Sequence, residues 1–303
     1  KMNKIVKIFR FIKKILVRRN LLQFANIHNL YLNSQQSKLN NMNYLVSKYS
    51  TLNTSKKIDY EEYQVFSQNG EDGVLLDLLS RMNIEKRKCL EIGAGGLSSN
   101  VLNLNLNFGF ECVFIDGDSK ALDINKTNRN NFIHRFKNNG PSQYIEKIVQ
   151  PENIKELDKK LNFKDFAICS IDIDGADYFI FEKILEYDIP LIIVEYNSLF
   201  GTDNKFSVPF DESFSRYEYH KSHLVFGCSL DALDFIAKPK GYSLVYCESN
   251  GVNAFFVKNS LLSDSIKNLT VQEAFKENYK LAHLVPKNFL EDVKRLLIKV
   301  DEI

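Results

Sequence analysis

Glu91-Ile-Gly-Ala-Gly-Gly-Leu97 packs three glycines between an apolar run and a helical one. Glycines there let the backbone come close to a bound molecule at the carboxyl edge of a sheet, where open α/β folds take their ligands. A tight turn with no ligand is the plainer reading of the same residues. The dinucleotide fingerprint G-x-G-x-x-G is not met, because Ser98 stands where the third glycine belongs. Glu91, just before the turn, repels a pyrophosphate but can accept hydrogen bonds from an ammonium group. Asp116, 23 residues after Gly93, falls at the end of the next apolar run, where a carboxylate can bind a ribose diol.

Asp172-Ile-Asp174-Gly-Ala-Asp177 places three carboxylates within six residues at the end of a third apolar run. Packed dry they would repel one another, so they face solvent or surround a cation. Glu195 and Asn197 end the run expected beside it. Asp172, Glu195 and Asn197 could then converge on one hard divalent ion, Mg²⁺ or Mn²⁺. Two other readings stay open: bonding to loop backbone and substrate hydroxyls, or Asp172 acting alone as a base. His220 and His223 sit in the long segment Ser198–Phe226, a length typical of a lid or binding loop. A histidine titrating near neutral pH suits a general base for a hydroxyl, although most single histidines are structural. Six aromatics in that segment (Phe200, Phe206, Phe210, Phe214, Tyr217 and Tyr219) could floor a sugar or another polar ring. His28, His134 and His283 have no such context.

The elements that must hold these residues alternate along the chain. Strands are expected at Cys89–Ile92, Cys112–Ile115, Phe166–Ile171 and Leu191–Tyr196, with one more between Phe132 and Val149. Helices are expected at Val74–Met82, Ser98–Asn107, Ser119–Asn128, Pro151–Leu161 and Tyr178–Tyr187. Near-continuous hydrophobic runs separated by helices imply a doubly wound, mostly parallel sheet covered on both faces. Tyr242–Cys247 and Ala254–Val257 are joined too closely for a helical crossover, so they must form a terminal antiparallel hairpin. Residues 264–303 read as two closing helices, with Pro286 near the start of the second.

Charge divides the chain differently. Of 40 basic and 38 acidic residues, the first 58 positions hold twelve of the bases and none of the acids. Ile5, Ile8, Phe9, Ile12, Ile15 and Leu16 recur at helical spacing between lysines and arginines, a basic amphipathic pattern suited to an anionic membrane surface or to docking on protein. A weaker stripe follows over residues 22–50, read as a structural or homodimerisation arm, and Ser50–Lys57 reads as a linker. Nucleic acid is not expected as a partner, since no binding module accompanies the charge. The 44% apolar fraction excludes wholesale disorder. No run approaches a membrane span, and charges break any leader-like apolar stretch. Five cysteines, without C-x-x-C or zinc spacing, read as reduced and mostly buried, hence a cytoplasmic protein or one on the inner face of the membrane.

Taken in order, Phe66-Ser-Gln-Asn-Gly-Glu-Asp-Gly73, the Glu91–Gly96 turn, Phe114-Ile-Asp-Gly117, Ser170-Ile-Asp-Ile-Asp-Gly175, Val194-Glu-Tyr-Asn197 and Gly251-Val-Asn-Ala-Phe-Phe-Val257 resemble the class I S-adenosylmethionine-dependent methyltransferases. The resemblance is to FkbM-like members, often associated with bacterial polysaccharide and secondary-metabolite synthesis, and it covers about residues 61–260. It implies a Rossmann-like, seven-stranded sheet and S-adenosyl-L-methionine as cofactor. It implies contacts from Glu91, Gly93 and Gly95 to the methionine end, from Asp116 to the ribose hydroxyls, and from Gln68 and Asp172 elsewhere on the cofactor. Leu97 stands where many members carry a further glycine.

The expected organisation is a basic helical arm over 1–58, a methyltransferase domain over 59–262 and packed C-terminal helices over 263–303. The expected activity is O-methylation of a sugar hydroxyl, on a surface polysaccharide or its precursor, with Asp172, His220 or His223 as base. A nicotinamide-dependent oxidoreductase and a non-catalytic, membrane-docked scaffold are the competing classes. The missing third glycine and the terminal hairpin count against the former.

Overall fold

The computed structural model describes residues 37–38, 40–49, 60–134 and 138–302. The first described element is a helix, α1, over 37–38 and 40–48. The elements of the body that follow are α2 (Glu71–Met82), β1 (Lys88–Ile92), α3 (Leu102–Phe108), β2 (Glu111–Asp116), α4 (Ser119–Ile133), β3 (Ser142–Glu146), α5 (Ile154–Leu161), β4 (Phe166–Ile171), α6 (Asp177–Ile184) and β5 (Leu191–Glu195). A lid segment carries β6 (Phe206–Ser207) and α7 (Arg216–Tyr219) before α8 (Leu230–Ala237), β7 (Tyr242–Cys247) and β8 (Asn253–Lys258).

Seven strands form one sheet in the order β3-β2-β1-β4-β5-β8-β7. β8 runs antiparallel to both neighbours, while the pairs among β1 to β5 are parallel. This is the doubly wound sheet with a terminal hairpin that the strand spacing implies, and the Rossmann-like, seven-stranded form that the resemblance implies. The order reverses between β1 and β4, which opens a crevice at the carboxyl edge.

Strand alternation splits the core in two. Leu90, Ile92, Val113, Ile115, Cys169 and Ile171 pack one face under α5, α6 and α8. Cys89, Cys112, Phe114, Ile168 and Ile193 pack the other with α2 and α3. Successive strand residues point to opposite faces, so two buried layers explain the unbroken apolar runs. All five cysteines are free and buried.

The elements start and stop where polar residues intervene. The helix expected from Ser98 begins only at Leu102, because Ser99 and Asn100 are spent on Glu91. The tail departs further from expectation: instead of two closing helices it forms α9 (Val271–Ala274), α10 (Tyr279–Ala282) and α11 (Phe289–Val293), then the strand β9 (Ile298–Lys299). Each helix is cut short by its own caps and turns, as at Thr270 and Asn278, whose side chains cap α9 and α10. β9 pairs with β6, so the tail is tied to the lid. Phe289 and Val293 join Phe200, Val208 and Val225 in a small third core beneath it.

Within the arm, Met42, Leu45 and Tyr49 are buried against α2. The Tyr49 hydroxyl donates to Asp77, and Lys48 pairs with Glu61 at 2.8 Å. This stretch of the arm docks on the body of its own chain. The basic helix expected over residues 1–19 and the linker at 50–57 lie outside the described residues. No helix among the described residues is long and apolar enough to cross a membrane.

Candidate active site

A cleft of about 480 Å³ opens along the carboxyl edge, over the ends of β1, β2, β4 and β8. Gln68, Glu91, Gly93, Gly95, Asp116 and Asp172, the six positions expected to touch a cofactor, all line it.

Its first half is built by the β1 and β2 ends. Gly93 has φ 82°, and a Cβ there would fall 1.6 Å from the Asp172 carbonyl oxygen. A Cβ on Gly95 would lie 2.7 Å from Asp116 Oδ2. Both positions therefore demand glycine, and the turn presents bare backbone to the cleft. Glu91 is held from behind: Ser99 Oγ donates to Oε2 at 2.5 Å and the Asn100 backbone N–H to Oε1 at 2.7 Å. Burial pushes its carboxyl up to about 7, against the pull of those two bonds. Asp116 is raised by burial while the Asp118 N–H, at 2.8 Å, favours the charged form. Leu97, at the position where a further glycine is common, is exposed and out of the way. The loop Lys147–Gln150 after β3 forms the far wall, with Ile148 largely exposed to the cleft.

The second half is built by the loop after β4, the start of β8 and the lid, with Glu195 at the end of β5 close to Asp172 but outside the lining. The three carboxylates of the Asp172–Asp177 motif take separate tasks. Asp177, fully buried, accepts from the backbone N–H groups of Ile173 (2.9 Å) and Gly175 (3.0 Å) and fixes the loop. Asp174, in the left-handed region at φ 54°, pairs with Arg216 of α7. Arg216 also donates to the His223 carbonyl at 3.0 Å and lies 3.7 Å over the Phe226 ring. Asp172 faces the cleft. Burial, then Asp177 and Asp174, push its carboxyl up to about 8. Burial and the facing Asp172 likewise hold the Glu195 carboxyl far above the ordinary range. Two such carboxyls in contact share a proton at neutral pH.

Oxygens of Asp172, Asp174 and Glu195 all lie within 4.8 Å of one another, close enough to share one cation. Asn197 is not the third partner that the sequence suggests. Its amide donates to the Leu224 and Phe226 carbonyls at 3.0 Å and accepts from the Leu199 N–H, so it organises the lid instead. The third oxygen of that group belongs to Asp174.

Neither lid histidine lines the cleft. His220 Nδ1 meets Ser222 Oγ at 2.8 Å and its ring packs on Phe289; His223 sits at φ 59° in the turn. Both shape the lid. Of the six aromatics in Ser198–Phe226 only Phe210 and Phe214 line the cleft, Phe214 passing over Gly175 and Phe210 packing tilted against Phe179 at 5.6 Å. Residues that the sequence alone did not mark as site-building are Ser99, Asn100, Arg216 and Asn253. Asn253 starts β8 directly opposite Glu195. Only its place in the Gly251–Val257 motif hinted at a role.

No family model matches the chain, and no curated protein matches it. Among solved structures, the fold is similar to a SAM-dependent methyltransferase from Methanosarcina mazei, at 11% identity and TM-score 0.35 over 57% of this chain and 92% of that one. It is similar to precorrin-6y C5,15-methyltransferase from Geobacter metallireducens, at 13% identity and TM-score 0.38 over 68% and 97%. An O-methyltransferase from Bacillus cereus in complex with SAH aligns at 15% identity and TM-score 0.37 over 72% and 91%. Likeness this remote says nothing of chemistry, which the cleft itself must supply.

Proposed function

We propose that this chain is an S-adenosylmethionine-dependent methyltransferase acting on a hydroxyl of a small sugar-like acceptor, such as a polysaccharide unit or its precursor. One observation carries the reading: a Cβ-free turn at Gly93 and Gly95 lies between a buried carboxylate on β1 and a second one on β2, in one cleft with Asp172. The residues fit the cofactor. Bare backbone at the turn admits a close approach, Glu91 offers remaining lone pairs to an ammonium group, and Asp116 can accept two hydroxyls of a ribose. A pyrophosphate is disfavoured by Glu91, which speaks against a nicotinamide dinucleotide.

When bound, S-adenosylmethionine supplies an electrophilic methyl group on a sulfonium whose departure leaves a neutral thioether. The chain's part is positional and protolytic. Phe210 and Phe214 offer flat faces for a sugar ring, and the loop after β4 and the start of β8 offer acceptors for its hydroxyls. Holding the two reactants at about 3–3.5 Å in line supplies much of the rate. Asp172 faces the cleft and takes the hydroxyl proton, while His220 and His223 lie outside its lining. Its raised basicity makes it a stronger proton acceptor than an ordinary carboxylate once ionised.

The test is incubation with methyl-labelled S-adenosylmethionine and a panel of neutral, amino and phosphorylated monosaccharides, following release of S-adenosylhomocysteine and the label on the sugar. Label on an ether oxygen supports the reading. Binding of the cofactor with no transfer to any hydroxylated acceptor contradicts it.

A further inference from the structure

Among the described residues, seven carboxylates line the cleft against a single lysine, Lys147, which is already paired with Glu156 at 2.9 Å. Two of the seven, Glu91 and Asp116, serve the cofactor in the reading above. The others gather on the acceptor side, where they would repel a phosphorylated or carboxylated molecule. Arg216 gives no free cation there, since Asp174, the His223 carbonyl and the Phe226 ring occupy it.

Two buried oxygens on that side have no hydrogen-bond donor among the described residues: Glu195 Oε2 and Asn253 Oδ1. Glu195 is 9% exposed and Asn253 2%. They belong to opposed residues of β5 and β8, so their side chains share one face of the sheet. Asn253 lines the cleft and spends its amide nitrogen on Glu71 at 2.7 Å, which leaves Oδ1 for a donor from elsewhere. Buried acceptors without donors are costly, so a ligand rich in N–H or O–H groups is the fitting complement.

We propose that the acceptor carries a protonated amine, seated among Asp172, Asp174 and Glu195 beside the hydroxyl that is methylated, so that the substrate class is an amino sugar rather than a neutral or phosphorylated one. The proposal rests on the methyl-transfer reading. An ammonium group donates three N–H bonds of about 2.8 Å, which in tetrahedral directions sets their acceptors about 4.6 Å apart. The spread of the three carboxylates, within 4.8 Å, accommodates that. One Asp172 oxygen is then left for the neighbouring hydroxyl, and Asn253 Oδ1 for another donor of the ring. A cation in the cradle also relieves the repulsion between Asp172 and Glu195, so the base is ionised when the acceptor is in place.

The experiment uses the full chain, first titrated calorimetrically with S-adenosylhomocysteine. Saturation-transfer NMR then ranks glucosamine, N-acetylglucosamine, glucose and glucose 6-phosphate, with and without S-adenosylhomocysteine. Glucosamine should bind at least about tenfold more tightly than the N-acetyl and neutral sugars, with the phosphate weakest. Glu195→Gln and the surface variant Asp174→Asn should each shrink that preference several-fold, with thermal melts showing both folded. Absence of discrimination among the four sugars, lack of binding included, overturns the proposal. Failure of S-adenosylhomocysteine to bind instead overturns the methyl-transfer reading, and the ranking without it still decides the amine.

Discussion

The two halves of the cleft are built on opposite principles. Where β1 and β2 end, each functional carboxylate is held by donors close in sequence: Glu91 by Ser99 and Asn100, Asp116 by Asp118. Where β4, β5 and β8 end, carboxylates face one another, and two buried oxygens lack donors. The first half is complete as a binding surface before anything arrives. The second is under-satisfied and waits for a donor-rich ligand. A preorganised half suits a cofactor with one fixed shape, and an electrostatically tense half suits the partner whose proton must be removed.

Perturbations should separate the halves by size of effect. Gly93→Ala is the most damaging, because its Cβ meets backbone at Asp172 and its φ is left-handed. It should cost at least about 2 kcal/mol in stability and eliminate binding of S-adenosylhomocysteine, read by melts and calorimetry. Asp172→Asn comes next, lowering kcat roughly 10²–10⁴-fold with cofactor affinity little changed. A carboxyl raised to about 8 is the active base only when ionised, so kcat/KM of the wild type should climb with pH through about 8. That rising limb should vanish in the variant; if it persists, another group is the base.

Asp116→Ala breaks the other half alone. Loss of two charge-assisted bonds of about 1.5–3 kcal/mol each should weaken S-adenosylhomocysteine at least tenfold while kcat at saturation survives. Smallest of all are the lid histidines: His220→Ala and His223→Gly should change kcat less than about twofold, since both side chains shape a loop outside the cleft. Treatment with EDTA should do equally little, because in this account the cradle of Asp172, Asp174 and Glu195 takes an ammonium group of the acceptor. A steep loss, restored by Mg²⁺, would make the acidic cluster a metal centre and redraw the second half.

Sequence made the first half legible and the second only partly so, for a physical reason. Strand ends and glycine turns are local: the apolar run before Gly93 and the one before Asp116 fix both positions without knowledge of any distant residue. The doubly wound, mostly parallel sheet followed from strand–helix alternation, and its terminal hairpin from the short Glu248–Asn253 link, which is too short for a helical crossover. The second half depends on pairs far apart in the chain, such as Asp174 with Arg216 or Asn253 with Glu71. No spacing rule reaches across such separations. Asn197 misled because a polar residue at a strand end looks alike whether it meets a ligand or a loop carbonyl. His220 and His223 misled because residue type suggested a base, while the lid's pairing with the tail through β6 and β9 turned them to packing. The three short C-terminal helices were hidden for the same reason, since their apolar residues answer to the lid rather than to a periodic face.

The central claim is that the preorganised half holds S-adenosylmethionine. Calorimetric titration of the purified chain with S-adenosylhomocysteine, and in parallel with NAD, tests it most directly. The account expects one saturable site for S-adenosylhomocysteine, weakened at least tenfold by Asp116→Ala in a variant that still melts cooperatively, and no heat with NAD. Saturable binding of NAD with none of S-adenosylhomocysteine would contradict it.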